Sequence, residues 1–168
     1  MGGLLPTGFI ATTHAATQLW NAASGNWSEN ANWSPGPAPG ANDSVIFSAT
    51  GSGGINTNNI PALTLRTNRI VMGEHTTDLG NNTLNTINFV MDGSGGGVTN
   101  PGNSAALDLT YGTLNIQSVM EIGSGISPSC RVTVAAQTYV QIGQDPTNRA
   151  AKIQLGTTAG DCGTNDVS

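Results

Sequence analysis

Apolar residues recur at every second position in short segments through the second half of the chain. The segments with this pattern are Leu107-Asp108-Leu109, Leu114-Asn115-Ile116, Met120-Glu121-Ile122, Val132-Thr133-Val134 and Val140-Gln141-Ile142. A spacing of two places side chains on one face of a pleated backbone, so each segment is predicted to be a β-strand. The residues predicted to point outward are Asp108, Asn115, Glu121, Thr133 and Gln141.

The apolar pairs also recur along the chain at similar intervals. The pairs that open successive units are Leu63/Leu65, Ile87/Phe89, Leu107/Leu109, Val132/Val134 and Ile153/Leu155, at steps of 24, 20, 25 and 21 residues. A unit of this size, built from strands and Gly-rich corners, is typical of one coil of a β-solenoid. Stacked coils bury an apolar face that one coil cannot bury alone.

Several units end in an apolar residue followed by glycine, which suits a corner at positive φ. These steps are Met72-Gly73, Ile122-Gly123, Ile142-Gly143 and Leu155-Gly156. The predicted fold class is therefore all-β, and within it a short single-stranded parallel β-helix, or β-solenoid. An antiparallel β-sandwich or jelly roll also gives short alternating strands and is the alternative.

The three tryptophans lie between positions 20 and 33, before a Pro- and Gly-rich turn and a predicted strand that ends at Phe47. This order resembles the entry segment of autotransporter-associated β-strand repeat proteins, over about residues 19–50. The matching residues are Trp20, Gly25, Trp27, Asn32, Trp33, Pro39, Gly40, Asp43 and Phe47. The resemblance implies a parallel β-helix whose first coil is capped by an aromatic cluster.

Two interpretations of the aromatic residues Trp20, Trp27, Trp33 and Phe47 follow from physical chemistry. The end of a solenoid exposes an apolar channel and unpaired strand edges, which bulky aromatic side chains can cover. Alternatively, the tryptophans form a platform on which sugar rings stack, and this interpretation requires solvent-exposed indole rings.

The chain is predicted to have an extended N-terminal arm at 1–18, a β-solenoid domain at 19–155 with its Trp-rich cap at 19–50, and a polar tail at 156–168. In the arm, the expected contacts with a neighbouring subunit are Leu4, Leu5, Phe9 and Ile10. A frayed terminus is equally compatible with this segment. It lacks the basic residues and the unbroken apolar run of a secretory signal, so no export signal is expected.

Polar segments separate the predicted strands. Thr50–Asn59 is predicted to be a loop, Glu74–Asp78 an exposed turn, and Asp92–Asn103 a projecting loop that could contact a partner. Residues 156–168 do not have the pattern of a strand.

Charge and cysteine usage exclude several classes of function. Charged residues are 9% of the chain, and its five basic residues form no run, which argues against nucleic-acid binding. No apolar span reaches membrane length, so no membrane insertion is expected. Cys130 and Cys162 lack metal-ligand spacing, which leaves free thiols or a single bridge open.

No catalytic site, cofactor or metal is expected, because the ten acidic residues are scattered. Only Asp108 and Glu121 are predicted on neighbouring strands of one unit.

The sequence therefore predicts a non-enzymatic structural protein. The leading hypothesis is a viral capsid decoration or cement protein that stabilises the shell, located on the virion and bound as a trimer to a major capsid protein. The alternative is a fragment of a secreted autotransporter-type passenger or adhesin, or a carbohydrate-binding surface protein, located outside the cell or on its surface.

Overall fold

A computed structural model describes residues 15–91, 104–122, 129–143, 152–155 and 165–167. Within these ranges the chain forms β-strands and one 3₁₀ turn, η1 (Asn30–Asn32), and contains no α-helix. The strands are β1 (Thr17–Trp20), β2 (Gly25–Asn26), β3 (Trp33–Ser34), β4 (Ser44–Phe47), β5 (Ile55–Thr57), β6 (Thr64–Ile70), β7 (Gly73–Asp78), β8 (Thr83–Met91), β9 (Ser104–Thr110), β10 (Gly112–Ile122), β11 (Ser129–Val134), β12 (Thr138–Ile142), β13 (Lys152–Leu155) and β14 (Asn165–Val167).

The strands form two sheets, and the chain alternates between them from β4 to β12. The long sheet has the order β12-β10-β8-β6-β4-β1-β3, with β13 also paired to β10; the short sheet has the order β14-β11-β9-β7-β5-β2. The strand pairs are parallel, except that β3 runs antiparallel to β1. The predicted all-β class is confirmed. The antiparallel alternative is wrong, because the pairs are parallel apart from β1–β3 and no two consecutive described strands pair with each other as a hairpin.

The long-sheet strands share a change of side-chain alternation near their middle. The buried positions on either side of this change are Leu65 and Asn68 in β6, Thr86 and Phe89 in β8, and Ile116 and Met120 in β10. In β10 the register also shifts between Ile116 and Val119. Two segments predicted as separate strands, 114–116 and 120–122, are therefore one strand of 11 residues.

Strand register corrects the predicted repeat. Val132 lies opposite Leu107, so the 25-residue step is right. Leu65 lies opposite Thr86, so the 24-residue step to Ile87 is wrong. The steps of 20 and 21 residues are also wrong, because each joins a pair in one sheet to a pair in the other. One true row of the long sheet is Phe47, Ile70, Met91, Ile122 and Leu155, with steps of 23, 21, 31 and 33 residues.

The corner that leads into each long-sheet strand from β4 to β12 is built by a residue in the left-handed region. The five non-glycine residues with positive φ all lie one or two positions before such a strand: Asn42, Ala62, Asn81, Tyr111 and Gln137. Glycines with positive φ occupy the opposite corner at Gly73 and Gly143, as predicted. The other two predicted corner glycines, Gly123 and Gly156, lie outside the described residues.

Two segments predicted as loops contain strands. The 50–59 segment includes β5, and the predicted turn at 74–78 lies within β7. His75 and Thr77 are buried, as is Asn56 in β5. The inward positions of these strands hold polar residues. Buried and less buried positions therefore alternate along the strands, but apolar and polar residues do not.

The predicted boundaries also shift at both ends of the chain. Strand β1 begins at Thr17, and Gln18 is buried, so these two residues belong to the long sheet and not to the arm. Strand β14 lies in the predicted tail and pairs with β11 through Cys130–Val132. The arm residues Leu4, Leu5, Phe9 and Ile10, and the loop at 92–103, lie outside the described residues.

Candidate functional site

An aromatic cluster lies where both sheets begin. Trp20 is in β1, Trp27 follows β2, Trp33 is in β3 and Phe47 ends β4. Their exposed fractions are 1%, 0%, 4% and 0%. Strand β3 is the last strand of the long sheet on this side, and β2 is the last strand of the short sheet. We call Trp20, Trp27, Trp33 and Phe47 the aromatic end.

The rings of the aromatic end contact one another mainly edge to face. The Trp33 ring centroid lies 5.0 Å from that of Trp20 and 5.5 Å from that of Trp27, with interplanar angles of 78° and 87°. Phe47 lies 5.7–6.1 Å from the three indoles. T-shaped pairs at such distances are favourable beyond the area they bury, by about 0.5–1.5 kcal/mol each.

The indole N–H groups of Trp27 and Trp33 have buried acceptors. Trp33 Nε1 donates to the carbonyl oxygen of Trp27 at 2.8 Å, and Trp27 Nε1 donates to Asn56 Oδ1 at 2.8 Å. The same Asn56 oxygen accepts a hydrogen bond from Thr77 Oγ1 at 2.9 Å, while Asn56 Nδ2 donates to the Thr76 carbonyl oxygen at 2.9 Å. Asn56 thus links the aromatic end to β7 of the short sheet.

His75 lies beside Phe47, with ring centroids 5.4 Å apart and 1% of the residue exposed. Its Nε2 is 3.0 Å from the Met72 carbonyl oxygen, whereas its buried Nδ1 has no partner among the described residues. Burial lowers the pKa of His75, against a smaller opposing effect of backbone hydrogen bonds at Met72 and Ser48. Burial therefore favours the neutral form of this imidazole beside the aromatic end.

Three further residues, Gly25, Asn32 and Asp43, shape the turns around the cluster. Gly25 has φ 142°, and a Cβ there would lie 2.6 Å from Asn32 Nδ2. Asn32 Nδ2 donates to the Asn26 carbonyl oxygen at 2.9 Å. Asp43 accepts from the backbone N–H of Ala16 at 2.7 Å and of Gly40 at 2.8 Å. These contacts fix the loops that carry the tryptophans.

A sugar-stacking platform at the tryptophans is wrong. The interpretation requires at least one exposed indole face, and Trp20, Trp27 and Trp33 are all buried against each other and Phe47. The tryptophans instead form part of the apolar core.

Part of the outer face of the long sheet carries uncharged polar side chains, while Arg66, Arg69 and Glu121 occupy other non-buried positions of the same sheet. One row, in register across four strands, is Thr64, Asn85, Asn115 and Gln141, and beside it lie Thr83 and Thr113. Asn115 Nδ2 donates to Asn85 Oδ1 at 2.9 Å, so two neighbouring amides of the row are hydrogen-bonded to each other. We call these six residues the neutral face.

The two acids predicted to be neighbours lie in different sheets. Asp108 is in β9 of the short sheet and Glu121 is in β10 of the long sheet. Asp108 Oδ1 accepts a hydrogen bond from Arg131 Nη1 at 3.0 Å on the surface. No cluster of three or more potential metal ligands occurs within the described ranges.

Sequence reasoning missed three polar residues that support the aromatic end. Asn56, His75 and Thr77 are buried polar side chains in segments that were predicted to be exposed. Their two-residue spacing, His75 to Thr77 and Asn56 to Asn58, matches a strand whose inner face is polar. That spacing was the available signal.

In the described part of the chain, no helix is long and apolar enough to cross a membrane. Comparison of the chain with protein-family models, with curated proteins and with solved structures gave no match.

Proposed function

We propose that the protein is a short β-solenoid with a non-enzymatic structural role, and that it decorates and stabilises a viral capsid. The solenoid is supported by the alternation of successive strands between two parallel sheets. Each coil would then contribute one long-sheet strand and one short-sheet strand, with corners at Asn42, Ala62, Asn81, Tyr111 and Gln137 on one side.

The aromatic end acts as the cap of this solenoid. A solenoid needs a terminal cover because its first coil would otherwise expose the apolar interior to water. The three buried indoles at the first strands, and the two-residue antiparallel strand β3 beyond them, support this role.

The neutral face is the observation that carries the assembly role. Burying a charged group against a partner is expensive, whereas an amide or hydroxyl loses little once it is hydrogen-bonded across the interface. The six residues of the neutral face are uncharged and already lie in regular rows. A surface of this composition suits close packing against a protein shell.

The proposed assembly is a trimer bound to a major capsid protein on the virion. The N-terminal arm, with Leu4, Leu5, Phe9 and Ile10, would reach across to neighbouring subunits. The chain as a whole carries few basic residues, so the contacts would be made to protein and not to packaged nucleic acid.

Fractionation of virus particles from the source tests this function. Antibodies raised against the recombinant chain should label purified particles, and the chain should sediment with them at a fixed ratio to the major shell protein. Detection of the chain only away from particles would overturn the proposal. Substituting Asn85 and Asn115 by Lys should reduce rebinding to stripped particles, with Ser24→Lys as a control outside the neutral face.

A second candidate is a piece of an exported autotransporter-type passenger or adhesin. The observation that favours it is the structural use of the resembling pattern, since Gly25, Asn32 and Asp43 hold the loops around the aromatic end. The same antibodies would then label the outside of bacterial cells and not virus particles.

A further inference from the structure

The two outermost strands of the long sheet differ in how well their free edges are protected. Strand β3 has two residues, and Pro35 and Pro37 follow it closely. At the other edge β12 and β13 pair with successive parts of β10, and β12 has the sequence Thr-Tyr-Val-Gln-Ile, with no charge and no proline. Natural proteins protect sheet edges with short strands, proline, lysine or bulges. Strand β12 has none of these and is rich in residues that favour strands.

The free edge of β12 presents backbone groups that can pair. Gly143 donates its N–H to the Ile116 carbonyl oxygen of β10. Because backbone groups alternate in direction along a strand, Val140 and Ile142 direct their N–H and C=O groups away from β10. No described strand pairs with β12 on that side.

The side chains of β12 are also left incompletely covered. Val140 and Ile142 pack against the core but are only partly buried. Tyr139, on the outer face, is 64% exposed. The equivalent positions at the aromatic end are covered by indole rings.

We propose that β12 is a self-association site, at which two copies of the chain pair their β12 strands antiparallel about a two-fold axis through Val140. Val140 would face its own copy, in a pair that exchanges two N–H···O bonds, the pattern of a hydrogen-bonded antiparallel pair. Thr138 would then lie opposite Ile142, and Tyr139 opposite Gln141. The two aliphatic interiors would become continuous.

The protected edge at the other end limits this association. A two-fold contact uses the same surface on both copies and closes on itself, whereas head-to-tail contacts can grow into filaments. Since β3 offers only two residues for pairing, a second copy cannot add there in the same way. The expected product is a closed pair joined at β12.

This inference does not depend on the proposed capsid role, and mass measurement separates it from the proposed trimer. A trimer would use the sides of the solenoid, so adding the β12 contact gives six copies with dihedral symmetry. Sedimentation velocity and light scattering of the full chain should find two copies if only the β12 contact forms, and six if both contacts form. One copy or three copies would overturn the β12 pairing.

Two variants test the contact directly. Val140→Pro removes an outward N–H and leaves the bonds to β10 in place, which is where an edge strand tolerates proline. Tyr139→Lys places a protective lysine on the edge. Each should halve the mass and weaken association at least tenfold, whereas Tyr111→Lys, at the other exposed tyrosine, should leave it unchanged.

A fold control keeps the result interpretable. The circular dichroism spectrum and tryptophan emission of Tyr139→Lys should match those of the wild type, because all three tryptophans lie at the far end of the sheets. An unchanged mass in both β12 variants, with this fold retained, would also reject the site.

Discussion

The two ends of the sheets solve the same physical problem in different ways. At the aromatic end, Trp20, Trp27 and Trp33 are buried around Phe47, and the indole N–H groups of Trp27 and Trp33 reach buried acceptors. At the β12 end, Val140 and Ile142 are only partly buried. The first end is closed within the chain by its own side chains. The second end relies on the aliphatic contacts of β12 and on its pairing with β10. Its uncovered edge is therefore where we expect a partner to bind.

The largest expected effect is the loss of an indole from the aromatic end. Trp27→Ala removes a fully buried side chain and leaves Asn56 without one donor, so the free energy of unfolding should fall by about 3–5 kcal/mol. Val140→Ala, at the other end, should lower it by only about 1 kcal/mol, because Val140 is partly exposed. Urea denaturation at one protein concentration measures both. Equal losses at the two ends would contradict the asymmetry.

The buried amide of Asn56 should matter nearly as much as an indole. Asn56→Ala leaves the Trp27 N–H and the Thr77 hydroxyl without their acceptor, which should lower the free energy of unfolding by about 3 kcal/mol. Asn85→Ala is the matched control, because it removes a hydrogen bond between two side-chain amides on the outer face. Water can replace that bond, so its loss should be below about 1 kcal/mol. A similar loss in both variants would mean that the buried network contributes no more to the free energy of unfolding than a hydrogen bond on the outer face.

Much of the fold could be predicted from the aliphatic strands. Leu107 and Leu109 do pair with Val132 and Val134, and glycine corners do occur at Gly73 and Gly143. Apolar alternation was sufficient here because these inward positions are aliphatic and both pairs lie in neighbouring strands of the short sheet, β9 and β11.

The remaining features of the fold could not be predicted from hydrophobicity, and particular residues show why. Thr86 is buried while its apolar neighbour Ile87 is partly exposed, since the alternation changes within β8. The inward residues His75 and Asn56 are polar, so neither hydrophobicity nor strand propensity marks their strands. Their burial depends on hydrogen bonds with residues distant in sequence, which a local pattern does not reveal.

The aromatic end of the sheets should also be the acid-sensitive end. The pKa of His75 in the folded protein is lowered below the ordinary value of 6.5 by burial, so the unfolded chain binds the proton more readily. Stability is therefore fully present above that value and declines as the pH falls below it, with a slope of at most about 1.4 kcal/mol per pH unit from this residue. Urea denaturation at pH 7.5, 6.5 and 5.5 measures it.

A matched variant isolates the histidine. His75→Leu places an aliphatic side chain opposite Leu107 in the same row, so it should abolish the decline between pH 7.5 and 5.5. Hydrogen exchange at pH 5.5 should show wild-type protection lost first in β1 and β4, with β11 and β12 retained. A decline that persists in His75→Leu would assign it to another group.

The smallest effect should come from the ion pair on the short sheet, toward the β12 end. Asp108 Oδ1 and Arg131 Nη1 are 3.0 Å apart, but the two side chains are 42% and 46% exposed. Solvent screens such a pair, and ordering the long arginine side chain offsets much of its attraction. A double-mutant cycle with Asp108→Ala and Arg131→Ala should therefore give a coupling below about 0.5 kcal/mol. The coupling should shrink further in 1 M NaCl. A coupling above about 1.5 kcal/mol would mean that surface charge stabilises this half of the sheets. The two ends would then differ in the type of interaction that stabilises them and not in how strongly they are stabilised.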